Sequence, residues 1–272
     1  FGDMDRYFTP FIAPTKKKIL KTRERKEVAP ENNQGMNVVP QILTNDTEQF
    51  LDTCNMLIGL GYHEVNLNLG CPAATVVSKK KGSGFLDDIG RLDQFFETVF
   101  EEIAALPEER KCRVSVKTRI GMEFPEEFED IMEVYNRYPF SEIIIHPRLQ
   151  KDYYQNHPNL DVFGEALKQS VHPVCYNGDI FTKEDYDTFR GRFPTVERVM
   201  LGRGVVTNPG LVREIRTGQT ITRTELKEYH DRLYAGYREA MGSEKDALFK
   251  MKEVWSYLGK MFPESERELK KV

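Results

Sequence analysis

The chain has 272 residues, of which 39% are hydrophobic and 30% are charged, a composition typical of a globular protein with an ample core. Its formal net charge of −4 at pH 7 gives no overall signal for a nucleic-acid partner. No apolar run is long enough to span a membrane and no signal peptide opens the chain, so we expect a cytoplasmic protein without a membrane anchor.

Strand-like and helix-like patterns alternate over the first two hundred residues. Apolar and β-branched runs predict seven strands, at residues 7–13, 37–44, 63–71, 113–120, 141–148, 172–180 and 198–206. Amphipathic periodicity predicts helices between them, at residues 46–60, 91–106, 125–137, 159–170 and 182–190. Such alternation favours a parallel sheet with crossover helices, here a TIM (β/α)8-type barrel. A closed barrel needs eight strands, and the missing one would be the first strand, before Phe1.

From Thr222 onward the pattern is helical only. It predicts helices at 223–242, 244–262 and 264–271, with apolar stripes on the first two. The members of these stripes are Leu226, Tyr229, Leu233 and Tyr237, then Leu248, Met251, Val254, Trp255 and Leu258. We therefore predict a barrel domain over residues 1–220 and a small C-terminal helical domain over residues 221–272.

The four cysteines are Cys54, Cys71, Cys112 and Cys175, and none forms a Cys-x-x-Cys pair. This spacing suggests reduced thiols and no metal site. Cys71 stands out because it follows the apolar run 65–69, which carries amides at alternate positions, and lies between Gly70 and Pro72. Glycine permits a tight turn and proline blocks continuation of a strand, so Cys71 is predicted at a strand exit. A small buried core residue is the alternative interpretation.

Polar residues end nearly every predicted strand. In barrels of this type the site lies at the carboxyl ends of the strands, so these residues form the candidate site. They are Gln41, Asn68, Cys71, Lys117, Arg119, His146, Arg148, Asn177-Gly178-Asp179 and Gly202-Arg203-Gly204.

The last two groups suggest a phosphorylated cofactor. Glycine lets backbone N–H groups approach a phosphate, and arginine adds a bidentate contact. A helix beginning at Asn208-Pro209 would direct its positive end toward the same place. Two ordinary glycine turns are the alternative interpretation.

Lys117 ends an apolar strand and must meet a negative charge, either a reduced flavin ring or a neighbouring carboxylate. His146 follows three isoleucines and is interpreted either as a donor to a ring or substrate oxygen or as a core histidine. Basic residues cluster at 16–26 and at Lys79, Lys80 and Lys81, where a solvated surface is the usual interpretation.

Taken together, these motifs resemble the tRNA-dihydrouridine synthase family over nearly the whole chain. The resemblance rests on 68–72 (NLGCP), 79–86 (KKKGSGFL), 117–119 (KTR), 177–180 (NGDI) and 201–204 (LGRG). It implies FMN as cofactor, NADPH as reductant, and reduction of the C5–C6 double bond of a uridine in tRNA. The helical tail resembles the family's tRNA-binding domain. We expect a monomer with no protein partner.

The resemblance also assigns roles to residues. Cys71 would be the general acid that protonates C5 while hydride passes from the flavin to C6. The residues that would contact FMN are Gln41, Lys117, His146, Asn177, Gly178, Asp179, Gly202 and Arg203. Asn68 and Arg148 would lie near the uracil or its neighbours, and Arg119 is also expected to contact the tRNA. The clustering of Lys79, Lys80 and Lys81, rather than the resemblance, suggests that these three bind tRNA phosphates.

Physical chemistry is consistent with these roles. A cysteine thiol is mostly protonated at neutral pH, yet acidic enough to protonate an enolate-like carbon. The uracil must leave the base stack to meet the flavin, and basic segments such as 16–26 would hold the tRNA phosphates. The alternative functions are an FMN barrel that reduces a small free pyrimidine, as dihydroorotate dehydrogenases do, and a non-enzymatic RNA-binding module.

Overall fold

Parallel strands connected by helices make up the first two hundred residues of the computed structural model, which describes residues 4–265. The strands are β1 (Tyr7–Phe8), β2 (Val38–Val39), β3 (Gln41–Ile42), β4 (Glu64–Leu69), β5 (Arg113–Thr118), β6 (Ile143–Ile145), β7 (Val174–Tyr176) and β8 (Arg198–Val199). Strands β3 to β8 pair in chain order, all parallel, and β1 pairs with β2. A bridge from Ile12 to Ile42 connects the segment after β1 to β3.

Eleven α-helices are described within the same residues. They are α1 (Thr22–Val28), α2 (Thr47–Gly59), α3 (Ala74–Val77), α4 (Ile89–Ala105), α5 (Glu127–Asn136), α6 (Leu160–Gln169), α7 (Lys183–Arg192), α8 (Arg203–Thr207), α9 (Leu211–Thr217), α10 (Arg223–Met241) and α11 (Glu244–Leu258). Side-chain caps fix several starts: Asp46 accepts from the Gln49 N–H, and Thr182 forms a capping box with Asp185.

The predicted strands and helices are confirmed in type and order, with shorter strands. The predicted strand 37–44 is two strands, because Pro40 has no N–H to continue the ladder. The short helices α1, α3 and α8 were not predicted. Of the predicted helix 264–271, residues 266–271 lie outside the described residues, and a 3-10 turn covers Pro263–Ser265.

The described residues form two compact units. The first holds residues 5–178 and 196–200, and therefore the whole parallel sheet. Its core is formed by strand residues such as Val65, Leu67, Val116 and Ile144, each at most 1% exposed. Aromatic residues add to this core, with Phe96 of α4 and Phe140, which lies between α5 and β6, edge to face at 4.9 Å.

The second unit holds Met4, residues 179–195 and residues 201–265. Its helices α10 and α11 pack through Leu226, Val254 and Leu258, as the predicted stripes require. Leu248 was assigned to the same stripe, and this is wrong, because its side chain is 49% exposed. The domain boundary at 220 stays a prediction. No helix among residues 4–265 is both long and apolar enough to cross a membrane.

Candidate active site at the strand ends

Cys71 is held by its backbone, and its thiol is the least buried of the four. The other cysteines are buried, whereas Cys71 is of intermediate exposure. The side-chain oxygen of Asn68 accepts from the N–H groups of Gly70 (3.1 Å) and Cys71 (2.9 Å). The Cys71 carbonyl accepts from the Ser83 hydroxyl (2.9 Å) and N–H (3.1 Å). These hydrogen bonds involve only the N–H and the carbonyl oxygen of Cys71, so its thiol remains available to react. The alternative of a buried core cysteine is wrong.

The loop 79–86 fits against Cys71 only because it contains glycine. Gly82 has φ +57°, in the left-handed region, and a Cβ there would lie 2.7 Å from the Cys71 carbonyl oxygen. A Cβ on Gly84 would lie 2.8 Å from the Val77 carbonyl oxygen. The GSG sequence is therefore a packing requirement of the Cys71 turn.

Lys117, in β5, has no anionic partner. Its ammonium makes no hydrogen bond and no ion pair within residues 4–265, so the alternative of a salt bridge to a neighbouring carboxylate is wrong. Burial, followed by the positive charge of Arg119, lowers the pKa of Lys117 to about 8, although Cys175 and Cys71 act in the opposite direction. An unpaired cation in this position is a site for a negative group.

His146, directly after β6, presents an acceptor to the site. Its Nδ1 lies 2.6 Å from the Asn177 carbonyl oxygen, which can only accept, so Nδ1 carries the hydrogen. Burial, followed by the charge of Lys117, lowers the pKa of His146 to about 3, so the ring is neutral. The Nε2 atom is therefore an unprotonated acceptor, buried and without a partner. In this tautomer the Nε2 atom suits an N–H donor of a ligand rather than the acceptor expected from the sequence, and the contact of His146 with a cofactor stays a prediction.

Gln41 and Asn68 are bonded to each other inside the barrel. The Asn68 side-chain N–H donates to the Gln41 side-chain oxygen at 2.7 Å, and the Gln41 side-chain N–H donates to Asn66 at 2.8 Å. Both residues are at most 8% exposed. Their contacts with cofactor and substrate stay predictions.

Arg119 connects the Cys71 turn to the loop after β6. Its guanidinium donates to the carbonyl oxygens of Gly70 (2.9 Å), Leu149 (2.7 Å) and Tyr153 (2.6 Å), and the residue is 1% exposed. The structure therefore gives Arg119 an organising role for the two loops. A direct contact between Arg119 and tRNA stays a prediction.

Arg148 organises the same loop from within. Its guanidinium donates to the carbonyl oxygens of Gln155 and Asn156, and Asn156 has φ +59°. The side-chain N–H of Gln150 reaches the Pro72 carbonyl at 3.3 Å. Arg148 is 1% exposed, so its predicted contact with tRNA likewise stays a prediction.

Tyr154, which the sequence reasoning missed, is an exposed aromatic residue beside this site. Its side chain is 57% exposed, its ring centroid lies 6.4 Å from that of His146, and the Arg119 guanidinium lies 5.6 Å from it. An exposed aromatic ring next to buried polar groups is a surface on which a base can stack. The signal was the pair Tyr153-Tyr154 in an otherwise polar loop after a strand end.

Asn177 and Gly178 follow β7. The Asn177 side chain donates to the Met200 carbonyl at 2.8 Å, and its own carbonyl orients His146. A Cβ on Gly178 would lie 1.9 Å from the Tyr176 hydroxyl, so packing against that tyrosine explains the glycine. The prediction that both residues contact the cofactor is not tested by these contacts.

The family model described as Dihydrouridine synthase (Dus) matches residues 1–271. The chain belongs to the dihydrouridine synthase family. Among curated relatives, the tRNA-dihydrouridine(16) synthase of Shewanella oneidensis is 28% identical over 243 residues, covering 87% of this chain and 74% of the relative. That of Pseudomonas putida is 25% identical, covering 97% and 83%.

Solved structures confirm the TIM-barrel fold expected for this dihydrouridine synthase family member. Morphinone reductase in complex with tetrahydroNAD has a TM-score of 0.53 at 12% identity, with 80% of this chain and 79% of that chain covered. The old yellow enzyme homologue from Zymomonas mobilis has a TM-score of 0.51 at 12% identity, with 80% of each chain covered. At these identities the likeness concerns the fold alone.

The second unit of this dihydrouridine synthase family member holds the other glycine-rich group. Arg203 donates to the Asp179 carboxylate at 2.5 Å, and a Cβ on Gly204 would lie 2.1 Å from the Ile180 carbonyl oxygen. A Cβ on Gly202 would meet nothing within 4 Å, so of the two glycines in this group Gly202 is the one with open space beside it. The predicted cofactor contacts of Asp179, Gly202 and Arg203 stay predictions.

The helix expected at Asn208-Pro209 begins slightly later, as α9 at Leu211. The Asn208 side-chain oxygen accepts from the Gly210 N–H at 3.0 Å. That helix has 7 residues, and the expected direction of its positive end toward a phosphate stays a prediction.

The basic residues of both clusters are exposed except Lys81, which is half-buried, and only some of them lack an ion-pair partner. Lys80 pairs with Asp87, whereas Lys79 makes no ion pair within residues 4–265. Burial lowers the pKa of Lys81, which also makes no ion pair there. In the segment 16–26, own-chain carboxylates neutralise Lys18, Lys21 and Arg23. The basic residues of that segment that make no ion pair are Lys16, Lys17, Arg25 and Lys26.

Proposed function

We propose that this chain reduces the C5–C6 double bond of a uridine in tRNA to give dihydrouridine. Family membership supports the reaction class, and the curated relatives named tRNA-dihydrouridine synthase support the substrate. The observation that carries the assignment of roles is the half-buried Cys71 thiol, held by its backbone after β4. The neighbouring parallel strands carry the unpaired Lys117 ammonium near the end of β5 and the unpartnered His146 Nε2 atom after β6.

These residues fit a flavin, and the family resemblance favours FMN. The Lys117 ammonium would stabilise negative charge on the reduced ring, and His146 Nε2 would accept a hydrogen bond from a ring N–H. When bound, FMN would supply the hydride for C6, after reduction by NADPH.

Residues of the chain itself would donate the proton and position the base. Cys71 would hold the proton on its sulfur and release it to C5, where charge develops as C6 is reduced. The resulting thiolate would lie near two positive groups, Lys117 and Arg119, since Cys71 interacts electrostatically with both. Tyr154 would stack on the extruded uracil or a neighbouring base.

Replacing Cys71 with alanine tests the proposal. The FMN-loaded Cys71→Ala variant should be reduced by NADPH at the normal rate but reduce uridine in tRNA about 10² to 10⁴ times more slowly in single-turnover experiments, the usual contribution of a general acid. Cys54→Ala, which removes a buried thiol from α2, is the matched control and should keep the normal rate.

Unchanged turnover of Cys71→Ala on tRNA would disprove the assignment of the proton donor. Free uracil and orotate should not oxidise the reduced enzyme at a comparable rate. If one of them does, the chain acts on a free pyrimidine and the tRNA assignment is wrong.

A further inference from the structure

The side-chain amides that hold the Cys71 turn continue into the buried interior of the first unit. Strand register places Gln41 beside Asn66, and Asn66 beside Ser115, in one row across β3, β4 and β5. Asn66 and Ser115 are both 0% exposed, among neighbours such as Leu67 and Val116 that are equally buried. A polar row at this depth requires an explanation, because each buried polar group must find a partner.

The row is a continuous series of hydrogen bonds. The Asn66 side-chain N–H donates to the Ser115 hydroxyl oxygen at 3.0 Å, and the Gln41 side-chain N–H donates to the Asn66 oxygen at 2.8 Å. The Asn68 N–H donates to the Gln41 oxygen at 2.7 Å, and the Asn68 oxygen accepts from Cys71 N–H at 2.9 Å. The Ser115 hydroxyl closes the series on the Val65 carbonyl at 3.3 Å.

Backbone groups at the two ends give the series one possible direction. The Cys71 N–H can only donate and the Val65 carbonyl can only accept, so each amide between them has its oxygen toward Cys71 and its nitrogen toward Ser115. Reversing any one amide would set two donors or two acceptors against each other. Hydrogen bonds aligned in this way also strengthen one another.

We propose that Asn66 and Ser115 are positioning residues for Cys71, which they hold through Gln41 and Asn68. We call the series Asn68–Gln41–Asn66–Ser115 the relay. The role assigned to Cys71 rests on the function proposed above, whereas the hydrogen bonds of the relay do not depend on that function. Neither residue touches the sulfur. Each removes the rotational freedom of the next amide, so the Cys71 backbone is fixed from inside the barrel and from the loop 79–86 outside.

The test compares Ser115→Ala with Thr53→Val and uses two readouts. Ser115→Ala leaves the Asn66 N–H without its acceptor, so the relay can rotate. Amide hydrogen exchange at Gly70 and Cys71 should then accelerate about tenfold, the effect of one lost buried hydrogen bond. Single-turnover uridine reduction should slow by a similar factor, with no change in KM for tRNA. Thr53→Val removes a buried hydroxyl from α2 and should change neither readout.

The decisive comparison is Ser115→Ala in an Asn68→Ala background. Since the relay reaches Cys71 only through Asn68, the second substitution should add nothing to exchange at residues 70 and 71. Equal effects of Ser115→Ala in both backgrounds, or unchanged exchange in the single variant, would overturn the proposal. Asn66→Leu, which breaks the relay one step closer to Cys71, should reproduce the Ser115→Ala result. Exchange needs no substrate, so it tests the relay even if the chain does not reduce tRNA.

Discussion

In the first unit, buried charged groups are paired at one end of the barrel, whereas a lysine and a histidine nitrogen are unpaired at the other. At the starts of the strands, Glu64 accepts from Arg6 (3.1 Å) and Arg113 (3.0 Å), and Glu142 accepts from Arg6 (3.3 Å) and Arg198 (2.8 Å). At the ends of the same strands, the Lys117 ammonium and the His146 Nε2 atom have no partner within residues 4–265.

Within a single strand, the residue that stabilises the fold and the candidate ligand-binding residue lie at opposite ends. Both β4 and β5 begin with a paired charge, Glu64 and Arg113, and carry a site residue near the end, Asn68 and Lys117. An unpaired cation at a buried position lowers stability, because desolvation is not compensated. At the other end, Glu64 and Glu142 each pair with two arginines, and this polarity agrees with the location of sites at the carboxyl ends of barrel strands.

Breaking the paired end should produce the largest loss of stability. Glu142→Leu removes the shared partner of Arg6 and Arg198 and should lower the free energy of unfolding by about 3 kcal/mol, measured by urea denaturation. Glu108→Gln disrupts an exposed pair with Lys111 and should change it by less than about 1 kcal/mol. Equal losses in the two variants would show that the strand-start network has no special role.

The unpaired end should respond in the opposite direction. Lys117→Met should raise the free energy of unfolding of the flavin-free protein by about 2 kcal/mol at pH 7 while weakening FMN binding. Lys117 loses its proton near pH 8 in the folded protein and near pH 10.5 in the unfolded chain. As the pH rises from 8 to 10.5, the free energy of unfolding of the wild type should therefore rise toward that of the variant. Above it the two proteins should be equally stable. A loss of stability at pH 7 would contradict the prediction.

His146 should make the flavin-free protein sensitive to acid. The pKa of His146 is about 3 in the folded protein and 6.5 as a free side chain. Between pH 3 and pH 6.5 the unfolded chain therefore binds a proton at His146 that the folded protein does not bind. The contribution is complete above pH 6.5 and should fall by between about 1 and 2 kcal/mol at pH 5. His146→Gln should show a shallower acid transition, and an equally steep one would exclude this source.

The basic segment 16–26 extends the comparison of paired with unpaired charge to tRNA binding. Glutamine at Lys16, Lys17, Arg25 and Lys26 should reduce the slope of log affinity against log salt by about 3, since each lost phosphate contact removes about 0.7 to 0.9. Glutamine at Lys18, Lys21 and Arg23, whose charges are already neutralised, should reduce it by less than about 1. Equal slopes in the two sets would exclude this segment as a tRNA contact.

The sequence was sufficient for the order of strands and helices and for the exit of Cys71 from β4, because apolar periodicity and the Gly-Cys-Pro turn are local signals. It did not reveal which charges are paired. Glu64 and Glu142 lie 78 residues apart and share Arg6, a contact that forms only when the starts of β4 and β6 come together in the folded sheet. The acceptor state of His146 likewise depends on the Asn177 carbonyl, 31 residues away. Leu248 was misassigned because helical spacing alone does not show where a packed stripe ends.

The close fit of Gly82 against the Cys71 carbonyl also limits how this barrel can be redesigned. A loop transplanted from another scaffold would displace the sulfur unless it supplied a residue without a Cβ in the left-handed region at that point. The backbone just before this glycine is fixed too, because the Asn45 side chain donates to the carbonyl oxygens of Lys79 and Lys80. Only the exposed side chains of these two lysines can be exchanged without entering the contact. Under the proposed function, RNA affinity could therefore be changed at these side chains while the backbone that positions the proton donor stays as it is.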